Sequence, residues 1–592
     1  VDSSLPPSIS DRVKEVIALL CVAALITLCV IGKFDNALVF DDVGVVGGDL
    51  IHDPSRMGEV FVGRTMIAHG PQQQVPASMD TYRPIPLLTF FWDAHVSGHE
   101  PWAYHLTNHL LHLGVALGVY LLARTLLPSS GMWVALLVAA FFGLSPQLGE
   151  GHVWINGRSD PLAALFGVFA LWVWSGWTSD LRRVSGRPFA VFLLTLLGLM
   201  SKEVLLVGLA SCLVWPLHRD RSLTWRIGRS IPFAAAAVVY LGARVSALGG
   251  ARVAYGPEQL GVALRNLPLL WTDGLRELVL PSRLYLRSMR DEYALWSDTE
   301  RVAAAAFVLV LSLAVWLLRK RSPVLVWGSA WFALTLAPAA MISAVLWPGF
   351  GRYLYLPCVG LALSLGEATQ AVIPSLKAYF GVERAEVDRK VTVLIGAVAT
   401  VYLASLALRL ATFTVQYADN ETLYANAIEA SPAPAYAYAW LGTHFVTERD
   451  AVRGTMALQK AVELDPREPR YLHDLARARL VSGDVVTAER ELRGAIARAP
   501  KHLVGDLRAL LVYAIAGRDP RAAVAELCTC LQHQPDLVDC RGTLGPLLDP
   551  RGPAYPQLRE EIAVALATHP SPVARGALEQ ALKEQGLYDR VR

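Results

Sequence analysis

The sequence predicts an all-α protein in two parts: a polytopic membrane domain over residues 1–410 and a domain of helical repeats over 415–592. Three observations lead there. Of the 592 residues, 54% are hydrophobic and only 18% charged, where soluble domains carry roughly 25% charged residues. The charge is unevenly spread, with long apolar runs filling 12–410 and a soluble, Arg/Glu-rich character after 415. Prolines at Pro432, Pro466, Pro500, Pro535 and Pro570 recur about every 34–35 residues, the period of tetratricopeptide repeats. The net charge of +3 is too small to argue for a nucleic-acid partner. Arg outnumbers Lys and Ala is abundant, the composition of a GC-rich bacterial genome.

At about 20 apolar residues per crossing, the sequence reads as about eleven spans, near 14–33, 104–126, 131–147, 159–177, 188–200, 203–217, 230–248, 302–318, 323–342, 353–373 and 391–410. The first follows Asp11-Arg12-Val13-Lys14 without a small-residue cleavage site behind it, so it reads as a retained span and not a signal peptide. Four basic clusters fall in alternate short loops: Arg182, Arg183 and Arg187; Arg219, Arg221, Arg226 and Arg229; Arg319-Lys320-Arg321; Lys377, Arg384, Arg389 and Lys390. All lie on one side if the N-terminus is cytoplasmic. The loops 34–103, 148–158 and 249–301, the Lys202-Glu203 turn, the Trp347–Arg352 loop and the C-terminal part then lie outside. Leu260 to Leu280 is expected to be interfacial or re-entrant, because a crossing there would invert the later clusters.

In the C-terminal third, Leu441-Gly442, Leu458, Ala461 and Leu464-Asp465-Pro466 align with Leu475-Ala476, Ala488, Leu492, Ala495 and Pro500. A weaker third set runs through Tyr513, Gly517, Ala522 and Pro535. Paired helices need small residues where they touch, and a proline suits the start of the next pair. Such an array binds peptides or proteins; catalysis is not expected of it. Of the seven cysteines, Cys21, Cys29, Cys212 and Cys358 sit in apolar stretches as buried thiols. Cys540 can bridge to Cys528 or Cys530 in an oxidising compartment. No zinc-ligand spacing is present.

The chemistry points to the outer loops. Asp41-Asp42 stands just past the first span, and carboxylates at a membrane surface cost desolvation energy that function usually justifies. They are placed to handle a proton or a cation where a lipid-borne substrate meets water.

Several segments, in their order, resemble one family. Phe40-Asp41-Asp42 resembles its first-loop acidic motif, and Tyr82-Arg83-Pro84 with Leu87–Phe91 its second. Pro101 to His112 (PWAYHLTNHLLH) is similar to its entry into the second span, and Trp154 to Leu162 (WINGRSDPL) to its glycine-arginine-acidic turn. Ser201-Lys202-Glu203 and Arg352-Tyr353-Leu354-Tyr355-Leu356-Pro357 match two later signatures. The family is the transmembrane and tetratricopeptide-repeat-containing O-mannosyltransferases, lipid-donor glycosyltransferases of the GT-C fold. The repeat array here is short for that family.

The resemblance implies a polyprenyl-phosphate sugar donor, most simply mannose, transferred with inversion to Ser or Thr hydroxyls of an acceptor protein, and no obligatory metal. A hydroxyl is a weak nucleophile, so a carboxylate should take its proton as the new bond forms. Asp41 is the expected base, with Asp42 as runner-up or acceptor-orienting partner; the alternative is a pair that only caps a turn. Arg352 suits the lipid phosphate, against a snorkelling interfacial arginine. Lys202, Glu203, Arg158, Asp160, Arg83 and Tyr82 either contact phosphate and sugar or brace the loops. Arg244 and the arginines of 265–301 are expected mostly at lipid headgroups. His105, His109 and His112 share a helical face and are expected to hydrogen-bond the acidic loop or to line the donor cavity. With Asp41, Glu150 or His152, that face would alternatively hold a divalent ion. Rival readings are transfer to a glycolipid or cell-wall polymer and an inactive membrane-anchored scaffold. A transporter is disfavoured, because its polar residues belong near mid-membrane.

Overall fold

The computed structural model describes residues 9–62, 81–128, 131–176, 186–218, 220–248, 256–344, 349–379, 385–499, 501–533, 540, 542–552 and 554–591, with the backbone alone at 9–10, 372–379, 385–392 and 501–502. Every element among them is an α- or 3-10 helix, with no β-strand. Contacts divide the chain into two compact units, Val1–Asn426 and Ala427–Arg592.

The first unit is that of an integral membrane protein. Among the described residues, six helices are long and apolar enough to cross a bilayer: Asp11–Asp35, Trp102–Leu126, Ile231–Leu248, Asp298–Leu318, Pro323–Ala344 and Val393–Gln416. The pair Gly131–Leu144 and Pro146–His152, bent by 51°, has the form of a broken span or a re-entrant loop. The bend has a local cause. Proline disfavours helical backbone in the residue before it, and Ser145 is extended at ψ 112° before Pro146. Other expected spans coincide with further apolar helices. Ser159–Ser175 is 17 residues, and Arg187–Leu199 and Leu205–Val214 are shorter apolar helices separated by the polar Ser201-Lys202-Glu203 turn. Tyr355–Tyr379 is helical over 25 residues. The ambiguous segment forms the helix Pro257–Val279, which is not among the candidate spans. It buries Ala263, Asn266, Leu269, Leu270, Asp273, Glu277 and Leu278 while exposing Leu260 and Leu264, an amphipathic spacing. Of the orientation-setting residues, Arg182, Arg183, Arg219, Arg384 and Trp347 lie outside the described residues.

Small residues let the helices close on one another, as they do in membranes. A Cβ on Gly328 would strike the Gly360 carbonyl and one on Gly360 the Gly328 carbonyl, so Pro323–Leu336 and Tyr355–Tyr379 meet backbone to backbone. Val45, Val46, Ile51 and Val60 of the segment after the first apolar helix pack on Leu87, Phe90 and Phe91 of helix Pro84–Ser97, with Tyr104 and Ile155. This small core seats the acidic pair.

The second unit consists of successive helices: Ala435–Thr447, Ala451–Leu464, Pro469–Val481, Val485–Ile496, Lys501–Ala516, Pro520–His533, Tyr555–Thr568 and Pro572–Glu584. Asp450, Asp484 and Asp519 each accept a bond from the backbone N–H three residues on, in Arg453, Thr487 and Ala522. These N-caps repeat at the spacing the prolines announced. Gly442 admits Leu458, whose Cγ would lie 2.6 Å from an added Cβ, so the first two helices touch where a small residue was expected. Cys540 is bonded to Cys530, and Cys528 is a buried free thiol. Pro500 and Pro535 lie outside the described residues.

Candidate functional site

The acidic turn is held by its backbone. Phe40 adopts φ +54°, a conformation uncommon for a side-chain-bearing residue. Its N–H donates to Asn420 Oδ1 at 2.8 Å, and Ala37 N–H donates to the Ala418 carbonyl at 2.8 Å. The following carboxylates differ sharply. Asp42 is fully buried; its Oδ1 accepts Asn156 N–H at 2.8 Å and its Oδ2 Val39 N–H at 3.4 Å. Asp41 accepts only the Asn156 side-chain amide, at 3.3 Å through Oδ2, which leaves Oδ1 without a partner among the described residues. Burial pushes the Asp41 carboxyl up to about 7, against the downward pull of the Arg352 charge and the Asn156 bond. Burial drives Asp42 well above the carboxylate range, against bonds from the backbone of Asn156, Val39 and Ile155. Asp42 is thus built into the turn, while Asp41 has an open oxygen and a proton affinity near neutrality.

Opposite Asp41 stands Arg352, on the 3-10 turn Gly351–Leu354 that leads into helix Tyr355–Tyr379. Its guanidinium lies 4.8 Å over the Trp154 ring and 5.1 Å over the Tyr353 ring, and donates to Tyr353 OH at 3.2 Å. Among the described residues it has no carboxylate within ion-pair reach. Its Nε and the Trp154 Nε1 are buried donors without acceptors. Unmet buried donors are rare because they cost about 1–3 kcal/mol each.

The other predicted cations are already spoken for. Arg158, fully buried, is 2.5 Å from Asp93, donates to Asn108 Oδ1, Thr89 Oγ1 and the Tyr104 carbonyl, and lies 4.2 Å over the Phe90 ring. Lys202 Nζ reaches both oxygens of Asp160 at 2.6 and 2.7 Å. Arg83 holds Glu203 through two bonds of 3.0 and 2.6 Å. Burial would raise Glu203, but Arg83 overcomes it and keeps that carboxyl near 2. These pairs fasten helices Pro84–Ser97 and Ser159–Ser175 to the Ser201–Glu203 turn. Lys202 also lies 5.1 Å over the Tyr353 ring, so these pairs border the residue that Arg352 touches. Tyr82 is buried against Tyr240 and donates to the Phe61 carbonyl at 3.3 Å.

The histidines disperse. His109 bonds Thr27 at 2.9 Å, while His112 bonds Tyr355 OH at 2.6 Å and the Gly143 carbonyl at 3.1 Å and stacks on His152. His105 is buried. Among the described residues no group of three or more His, Cys, Asp and Glu is arranged to hold a metal ion. The headgroup role expected for the arginines of 265–301 is corrected for several of them. Arg287 is buried between Asp273 at 2.8 Å and Glu292 at 2.6 Å, Arg283 lies 3.4 Å from Asp273, and Arg301 donates to Asn266. Residues missed as site components are Asn156, Trp154 and Tyr353. All three stood inside quoted motifs, but nothing in their spacing told which side chain turns toward Asp41.

Sequence comparisons bear on this arrangement. The chain is similar to protein O-mannosyl-transferase Tmtc2 of Drosophila melanogaster, 30% identical over 215 residues that make up 34% of this chain and 22% of that one. Tmtc1 of the same organism is 32% identical over 149 residues, 24% of this chain and 17% of the relative. Human TMTC2 is 34% identical over 94 residues, 16% and 11% respectively. The chain thus spans about a fifth or less of the length of these relatives. No family model and no solved structure matches. Through these segments the chain is related to the transmembrane and tetratricopeptide-repeat-containing protein O-mannosyltransferases.

Proposed function

We propose that the protein transfers mannose from a polyprenyl-phosphate donor to Ser or Thr hydroxyls of extracytoplasmic proteins, with inversion and with Asp41 as general base. The observation that carries this is the buried Arg352 guanidinium, which has no carboxylate within ion-pair reach among the described residues, near a carboxylate, Asp41, that burial raises to about 7 against the pull of that same charge. The names of the relatives, protein O-mannosyl-transferases, support the reaction class.

In this reading the lipid phosphate lies against Arg352, and the acceptor hydroxyl approaches the anomeric carbon from the opposite face. Asp41 Oδ1 accepts the hydroxyl proton as the new C–O bond forms and the sugar–phosphate bond breaks, a contribution of about 10²–10⁴-fold. The phosphate departs as an anion held by the guanidinium, so no general acid is required. Asp42 orients the turn, while Lys202–Asp160 and Arg83–Glu203 keep the surrounding loops in place. The second unit is assigned as a tetratricopeptide-type array that presents the acceptor. The basic loops favour a cytoplasmic N-terminus, and the Cys530–Cys540 bridge suits an oxidising side for the repeats. In a GC-rich bacterium, that is the periplasmic face of the inner membrane.

The test is mannose transfer by the purified protein in nanodiscs from synthetic polyprenyl-phosphate mannose to Ser/Thr peptides. Transfer of mannose to a hydroxyl with inverted anomeric configuration supports the reading. Absence of turnover with every polyprenyl-phosphate sugar tried, with and without divalent metal, moves the assignment to a scaffold.

A further inference from the structure

Arg352 is held in place through its backbone, and the group that holds it is a buried carboxylate with no role so far. Glu150 is 2% exposed, and its Oε2 accepts the Arg352 N–H at 3.0 Å. The contact is flush: a Cβ on Gly349 would stand 3.4 Å from Glu150 Oε2 and one on Gly351 3.3 Å from its Cδ. Gly349 sits at φ +100°, where a side chain would be strained. Glu150 is itself fixed from behind, because the chain folds back so tightly that a Cβ on Gly157 would strike the Glu150 carbonyl.

The far side of the same loop is pinned independently. Gly349 N–H donates to the Arg287 carbonyl at 2.8 Å, and the Arg287 guanidinium lies 4.5 Å over the Phe350 ring. Among the described residues, the Arg352 side chain rests on the Trp154 and Tyr353 rings and the Tyr353 hydroxyl. Its direction is therefore set by its backbone.

We propose that Glu150 is a positioning residue for Arg352: by accepting the Arg352 backbone N–H, it holds the guanidinium where its charge acts on Asp41. This rests on the reading that Arg352 binds the donor phosphate. The function belongs to the hydrogen bond and not to the charge. A glutamine keeps an acceptor oxygen at the same reach, whereas an aspartate keeps the charge but falls one methylene short.

The experiment measures affinity for mannose-free polyprenyl phosphate by the full-length protein in nanodiscs, with thermal stability recorded alongside. Glu150→Asp and Glu150→Ala are expected to weaken binding about tenfold, the scale of one buried hydrogen bond. Glu150→Gln should stay within about threefold of the parent. In an Arg352→Ala background, Glu150→Asp should change affinity no further, since residues acting through one another are not additive. If Glu150→Gln binds as weakly as Glu150→Asp, or the two losses multiply, the positioning role is overturned. If Arg352→Ala leaves lipid-phosphate affinity unchanged, the phosphate reading itself fails and the positioning role with it. Loss on Arg352→Ala with none on Glu150→Asp removes the positioning role alone.

Discussion

Two neighbouring regions of the first unit use the same residue types to opposite ends. Around Arg158, Lys202 and Arg83, each cation has a carboxylate at 2.5–2.6 Å. A few ångströms of packing away, Arg352 rests on rings and a hydroxyl, and Asp41 keeps an oxygen unengaged. In the first region each cation is matched by a carboxylate, and in the second Arg352 is not, among the described residues. We read the first as a brace and the second as the site, a difference that residue identity alone does not reveal.

The comparison can be broken from either side. The largest effect is expected at the site: Asp41→Asn should lower kcat about 10²–10⁴-fold with little change in thermal stability. A stability loss equal to that of a brace variant would place Asp41 among the braces. Next comes Lys202→Met, which strands the buried Asp160 carboxylate. Removing one partner of a buried pair costs about 3–5 kcal/mol, to be read in denaturation, and Lys202→Met/Asp160→Leu should recover much of it. Smaller is Asp42→Ala, which leaves two backbone N–H groups without their acceptor. About 2 kcal/mol should be lost, with part of kcat surviving in the folded fraction. Smallest is the Arg83–Glu203 pair, whose side chains are 25% and 37% exposed. A double-mutant cycle there should return a coupling of no more than about 1 kcal/mol.

Sequence reasoning reached the composition of this molecule more readily than its valences. The apolar runs became helices, and the proline period became capped helices with Gly442 at a close contact. Hydropathy does not register the local breaks at Ser145-Pro146 and Ser201–Glu203, which depend on backbone conformation. The acidic pair and Arg352 were legible as motifs. The division of labour between Asp41 and Asp42 was not, because it depends on Asn156 and Val39 turning their N–H groups toward one carboxylate. The arginines of 265–301 were misjudged for a related reason: Asp273 and Glu292 are 19 residues apart in sequence and converge on Arg287 only in the fold.

The central claim is that Asp41 is a base tuned by its surroundings, and the pH dependence of kcat/KM for mannose transfer tests it most directly. The base must be ionised, and burial raises its pKa to about 7, so activity should climb about tenfold per pH unit below 7 and level above it. Asn156→Ala removes a bond that favours the ionised form, so it should move the rising limb to higher pH. A limb near 4, the ordinary aspartate value of about 3.9, or one that Asn156→Ala leaves in place, would contradict the account.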